Sequence, residues 1–217
     1  MMVTIEQLNR IVTECGNYDP VKEVVASEVV KQINDPNNGF SSNNEVAMLL
    51  AHLIHESGGF KHREEKKESR INQEYHKYHG RGYIQLTWQE NYEAASMDLF
   101  GDYRLKDNPD LVLSSVKMCM EVSVWYWKAI VRKAVKNKFE DFYLTTKAIN
   151  GRIENSPAHE TAKTRNKYYR IAKKILDEKS NGGLNVTTCV VAVVAVAAAG
   201  VGLCVWGFPA LLACCCL

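Results

Sequence analysis

Apolar positions recur at helical spacing along most of this chain. Ile5, Leu8, Ile11 and Val12 follow Thr4, and Thr4 with Gln7 has the capping-box pattern, which predicts a helix beginning at residue 5. Ser42 with Glu45 repeats that pattern ahead of Val46, Leu49, Leu50, Leu53 and Ile54, and Gly58-Gly59 supplies a stop. Asn108-Pro109 opens a further helix, or a pair, running through Val122, Trp125, Tyr126 and Ile130, because proline suits the first helical position. Pro157 opens a last helix to about Lys179. Residues 61–77 are charged and aperiodic, which predicts an exposed loop with a short helical piece, and Gly82 to Thr87 reads as a short strand. No run alternates for long enough to support a large sheet. The body is therefore expected to be mainly α with a small β element.

The pattern changes after Lys179. Ser180-Asn181-Gly182-Gly183 has a flexible linker composition, and residues 189–217 carry no charged side chain. A bilayer span takes about 20 such residues. The expected organisation is a body over 1–180, a linker over 181–188 and a hydrophobic helical tail over 189–217. Three readings of the tail stand: a membrane anchor, a lipid-anchor signal, or a buried extension. The membrane anchor is preferred. The N-terminus lacks the apolar stretch and cleavage site of a secretory signal, so the tail is the one expected membrane contact, and the compartment is left open.

Composition narrows the function classes. The formal charge is +2 with a pI near 8.1, and no basic stretch is interleaved with aromatics, so a nucleic-acid partner is not expected. Only Cys15 and Cys119 of the seven cysteines lie in the body, so no disulfide framework is expected and the core must hold the fold.

Two places can carry chemistry. Glu56 lies three residues after Leu53 and seven after Leu49, on their face of the helix. A carboxylate there is partly desolvated, which favours the neutral acid that proton donation needs. The alternative is that Glu56 falls past the last turn and is simply solvated. The tract from His79 to Trp88 mixes hydrogen-bonding and aromatic side chains, as a sugar site does. Gly80-Arg81-Gly82 alone is a tight turn, and no lysine-serine or lysine-threonine step follows to make it a phosphate loop.

These blocks, taken in order, resemble glycoside hydrolase family 19, the chitinases with a lysozyme-like fold. The resemblance rests on His55-Glu56-Ser57-Gly58-Gly59-Phe60, Tyr78 to Trp88, Asn91-Tyr92, Val124-Trp125-Tyr126-Trp127 and Thr145 to Gly151. It implies a bilobal, lysozyme-like α-helical domain that cuts β-1,4-linked N-acetylglucosamine polymers. It implies Glu56 as general acid, a second carboxylate a short way downstream, and Thr87 as the hydroxyl that helps hold the attacking water. Glu65 is our choice for the base, with Glu64, Glu68 and Glu74 as rivals; an inverting pair stands roughly 6.5–9.5 Å apart. The loop lacks the cysteine-bearing pattern of many relatives. The resemblance further implies substrate contacts from Gln85, Asn91 and Asn150, with Tyr83 and Trp88 added from the same tract. For Asn150 the alternative is a helix end before Gly151, and for Trp88 a place in the core. Trp125, Tyr126 and Trp127 lie in an apolar run and are expected in the core.

Arg165 shares a stripe with Ala158, Ala162, Tyr169, Ala172 and Leu176 and so should point inward, where a guanidinium requires a carboxylate. The resemblance points to Glu154, and to Glu56 beyond it. The alternative is a packed stem with its head in water. His52, His55, His62, His76 and His79 form no recognisable ligand spacing, so no metal and no cofactor are expected. The chain is expected to act as a monomer on a polysaccharide. Three functions compete: a chitinase, a peptidoglycan-cleaving enzyme of the endolysin kind, and a chitin-binding protein without turnover.

Overall fold

Helix α1 (Ile5–Gly16) begins where its cap says it should: Thr4 Oγ1 accepts from the Gln7 amide at 3.1 Å, and Gln7 Oε1 accepts from the Thr4 amide at 3.1 Å. A computed structural model describes residues 3–70, 75, 77–151 and 156–178. The chain divides into two units, Met1–Ser180 and Asn181–Leu217. The expected linker over 181–188 and tail over 189–217 lie outside the described residues, as do Glu74, His76 and Glu154. Among the described residues no helix is long and apolar enough to cross a membrane.

The remaining helices are α2 (Glu23–Asn34), α3 (Asn43–Ser57), α4 (Gln89–Phe100), α5 (Arg104–Asp107), α6 (Val116–Tyr126), α7 (Arg132–Ala134), α8 (Phe142–Asn150) and α9 (Glu160–Asp177). Helix α3 is the central one. Every residue from Glu45 to Ile54 is buried, a pattern proper to a helix surrounded on all sides. It packs chiefly along α9, which also meets α1 and α8, while α2 packs on α6. Each fully buried leucine or isoleucine of α3 contributes roughly 1.5–3 kcal/mol.

The cap of α3 corrects one expectation. Ser42 Oγ accepts from the Glu45 amide at 3.1 Å, but the Glu45 side chain does not reach back to complete a capping box. It turns inward instead, accepting from Trp127 Nε1 at 3.0 Å and from Arg132 Nε at 2.6 Å. The same guanidinium donates to the carbonyls of Asn38 and Gly39. Once buried, the carboxylate needs such donors to offset its lost hydration, and these two supply them in place of the Ser42 amide.

Asn108-Pro109 opens a 3-10 turn over Pro109–Leu113, and α6 starts separately with Ser115 as its cap. Helix α6 ends in a π turn over Trp127–Val131. Pro157 lies in the turn ahead of α9, whose cap is His159. Ala158 is consequently exposed, and the buried stripe of α9 runs through Ala162, Arg165, Tyr168, Ala172, Ile175 and Leu176. Residues 82–87 form a turn rather than a strand. The β element reduces to isolated bridges that pair Glu64 with Arg81 and Arg81 with Leu86. The Arg81 guanidinium is buried at this crossing, where it binds Asp110 at 2.7 and 3.0 Å and donates to the carbonyls of Lys77 and His79.

Candidate active site

The end of α3 decides where Glu56 points. Gly58 adopts φ +58°, the left-handed conformation that stops a helix, and its amide donates to the Ile54 carbonyl. Ser57 then ties the turn from both sides, donating to the Leu53 carbonyl at 2.6 Å and accepting from the Phe60 amide at 2.8 Å. Glu56 is thus held in the last turn, with its side chain 18% exposed. Arg165 of α9 donates to Glu56 Oε1 from Nη2 at 2.6 Å and is itself only 1% exposed. The stripe argument for an inward arginine therefore holds, and its carboxylate includes Glu56. The other implied partner, Glu154, lies outside the described residues.

A cleft of about 510 Å³ opens over this pair. Glu56, Glu65, Gln85, Thr87, Trp88, Asn91 and Asn150 all line it. Glu65 arrives there because residues 63–65 pair with 80–82: the Glu65 amide donates to the Gly80 carbonyl at 2.9 Å, and the Gly82 amide to the Arg63 carbonyl at 2.8 Å. Both of its carboxylate oxygens are held, Oε1 by the Tyr75 hydroxyl at 2.6 Å and Oε2 by the Gly80 amide at 3.1 Å. The rivals are placed differently. Glu64 binds His79 Nε2 at 3.0 Å, and neither it nor the exposed Glu68 lines the cleft.

The turn that presents Gln85, Thr87 and Trp88 is strained. Gln85 has φ +56° and Trp88 has φ +77°, a region most side chains avoid. Such residues cost about 1–3 kcal/mol each and collect at functional sites. Local bonds hold them: Gln85 Nε2 donates to the Gly82 carbonyl, Thr87 Oγ1 to the Gln85 carbonyl at 2.9 Å, and Asn91 Nδ2 to the Thr87 carbonyl at 2.8 Å. Gly80 lets the Gln85 side chain lie close against the backbone, since a Cβ on it would meet Gln85 Oε1 at 2.7 Å and displace that amide. Trp88 stands edge-on to Tyr75, with ring centroids 5.5 Å apart. Asn150 is the last residue of α8 and faces the cleft.

Two side chains fall elsewhere than expected. Tyr83 is buried against Phe60 rather than in the cleft, because the turn at Gly82 directs it inward. Burial pushes its hydroxyl up to about 12. Tyr126, expected in the core with its tryptophan neighbours, lines the cleft; burial first and then the Glu56 carboxylate raise its hydroxyl above the ordinary value. Trp125 and Trp127 are buried as expected. Tyr75 and Tyr126 are thus the residues that sequence reasoning missed. The signal for Tyr126 lay in the π turn that follows it, which no spacing rule marks. Among the described residues no three histidine, cysteine, aspartate or glutamate side chains converge as metal ligands.

Known proteins are similar to this chain in sequence and fold. Two endochitinases of Arabidopsis thaliana are similar: one is 30% identical over 179 residues, covering 77% of this chain and 62% of the relative, and the other is 35% identical over 146 residues, covering 63% and 50%. The chain thus spans about half to three fifths of the length of these relatives. Chitinase C from Streptomyces griseus superposes with a TM-score of 0.63 at 25% identity, over 80% of this chain and 76% of that one. A class IV chitinase from Zea mays shares the fold at a TM-score of 0.58 and 22% identity, over 77% and 91%. The sequence model described as chitinase class I, glycoside hydrolase 19, matches residues 13–188. By that match the chain belongs to glycoside hydrolase family 19.

Proposed function

We propose that this chain is an endo-acting chitinase that hydrolyses β-1,4 linkages between N-acetylglucosamine units with inversion at the anomeric carbon. The observation that carries the reading is the single cleft lined by Glu56 and Glu65 together with Thr87. In this reading Glu56 gives its proton to the glycosidic oxygen as the bond from that oxygen to C1 breaks. A water attacks C1 from the opposite face, and Glu65 takes one of its protons. Thr87 Oγ1 already donates its own hydrogen to the Gln85 carbonyl, which leaves its oxygen to accept the water's other hydrogen. The products are a sugar with a free hydroxyl and a hemiacetal of inverted configuration. The amides of Gln85, Asn91 and Asn150 suit sugar hydroxyl and acetamido groups, and the rings of Trp88 and Tyr126 suit the apolar sugar face.

The test is product analysis by proton NMR after incubation with chitin oligosaccharides and, separately, with bacterial cell wall. Cleavage of the chitin oligomers with the inverted anomer formed first is expected. Glu56→Gln keeps an acceptor for Arg165 and is expected to lose roughly 10²–10⁴-fold in kcat. Cleavage of cell wall alone would replace the substrate with peptidoglycan, and binding without cleavage would leave a chitin-binding protein. A retained anomer, or a fully active Glu56→Gln, would overturn the mechanism.

A further inference from the structure

His52 lies one turn before Glu56 on α3, is fully buried, and has no part in the chemistry above. Its ring stacks on Phe142, with centroids 4.8 Å apart and planes 12° from parallel. Nε2 stands 2.9 Å from Thr145 Oγ1, and Nδ1 stands 3.4 Å from Nη1 of Arg165. The position of the ring protons follows from what surrounds them. Thr145 has one hydroxyl hydrogen, and the Phe142 carbonyl, which can only accept, takes it at 2.6 Å. Thr145 Oγ1 is therefore an acceptor toward His52, and Nε2 carries hydrogen. At the other end a guanidinium can only donate, so Nδ1 is bare. Two independent neighbours select the same neutral tautomer.

The charge around the ring agrees. Among the described residues Arg165 from α9 and His55 from α3 are the titratable groups acting on it, while α8 and the π turn present Phe142, Thr145 and Trp127. Burial first, then these two groups, hold the imidazole well below its ordinary value. A proton on Nδ1 would set one N–H against another.

We infer that His52 is a positioning residue for the acid: its bare Nδ1 orients the Arg165 guanidinium toward Glu56. A directed chain runs from Arg165 Nη1 to His52 Nδ1, from His52 Nε2 to Thr145 Oγ1, and from Thr145 to the Phe142 carbonyl. It connects α9, α3 and α8, so the Arg165 guanidinium that holds Glu56 is braced by the start of α8, whose end carries Asn150. The 3.4 Å contact is longer than the 2.6 Å bond to Glu56, so it steers the guanidinium and the carboxylate anchors it. The inference rests on the proposed role of Glu56 as acid, but its structural half does not.

Two substitutions separate the ring's two ends. Asparagine places Oδ1 where histidine has Nδ1, so His52→Asn keeps the acceptor for Arg165 and loses the bond to Thr145. Glutamine places Nε2 where histidine has Nε2, so His52→Gln keeps the bond to Thr145 and loses the acceptor. Nitrogen NMR of the full chain reads the ring and the Arg165 side chain directly. In the parent Nε2 is expected to be protonated and Nδ1 bare down to the pH of acid unfolding, with the Arg165 Nη protons separately resolved. Those Arg165 signals should persist in His52→Asn and average in His52→Gln. With chitin oligosaccharides, His52→Gln is expected to lose roughly 10- to 100-fold in kcat with KM little changed and to shift the pH profile of kcat, while His52→Asn stays within about threefold of the parent. A protonated Nδ1 in the parent would overturn the tautomer. Equal losses in both variants with an unchanged pH profile would reduce His52 to packing. If the parent cleaves nothing, the proposed function fails and the nitrogen signals still decide the tautomer and its hold on Arg165.

Discussion

Glu56, Arg165 and His52 occupy three successive depths of one site, from a partly exposed carboxylate to a fully buried ring. A charged group at the middle depth is tolerated because each neighbour is committed to it: a carboxylate accepts from it, and a histidine offers a lone pair and no proton. That commitment has a consequence for stability. In the unfolded chain His52 takes up a proton around its ordinary value of 6.5, while in the folded chain it stays neutral to much lower pH. Below that value the unfolded state binds one more proton at this residue, so stability falls as pH falls; above it the residue has no effect. The slope from His52 is about 1.4 kcal/mol per pH unit below the unfolded value. Urea unfolding of the parent and of His52→Gln at about pH 7.5 and about pH 5 measures this directly. The parent is expected to lose more stability between the two conditions than the variant does. Equal losses would mean that His52 is already protonated in the fold.

Helix α3 is where sequence and site meet, and its two ends work differently. Its C-terminal end presents Glu56 to the cleft, while near its N-terminal end Glu45 is locked between Trp127 and Arg132. Glu45→Ala leaves the buried Trp127 indole N–H and Arg132 Nε without their acceptor, while the guanidinium keeps the Asn38 and Gly39 carbonyls, and is expected to cost about 3–5 kcal/mol in urea unfolding. Glu45→Gln keeps one acceptor and should cost less; a loss under about 1 kcal/mol for the alanine variant would show that the pair does not anchor the helix. Such roles bear on what the sequence made readable. Helices α1 and α3 were legible because side-chain caps and apolar spacing coincide in them, and α9 because Arg165 sits within a clear stripe. Helices α2 and α4 were not, and both start on residues, Lys22 and Trp88, that make no side-chain cap bond. The cleft residues of the 79–88 tract were legible through resemblance, because positive φ at Gln85 and Trp88 leaves no local spacing to read. Tyr75 and Tyr126 escaped because one is brought in by a loop and the other lies at the start of a π turn.

On the scale of the whole chain, the question is how much of it the site needs. The last described helix closes the body rather than leading away from it: Ile175 and Leu176 are buried, Asn43 Nδ2 donates to the Leu176 carbonyl at 2.7 Å, and Glu178 pairs with Arg10 of α1. Contacts therefore tie the end of α9 to both α1 and the start of α3, the helix that carries Glu56. We expect a chain ending at Ser180 to retain every one of these contacts. Its melting temperature should lie within about 2–4 °C of the full chain, the shift that about 1 kcal/mol produces in a domain of this size. Its rate of chitin-oligomer cleavage should match as well. A chain ending at Arg170 loses three buried apolar side chains, Ala172, Ile175 and Leu176, of which the two larger are worth roughly 1.5–3 kcal/mol each, along with the ties to Asn43 and Arg10, and is expected to unfold at markedly lower temperature. Calorimetry on the three chains separates the possibilities. If the chain ending at Ser180 melted as early as the one ending at Arg170, residues 181–217 would be part of what holds the acid in place.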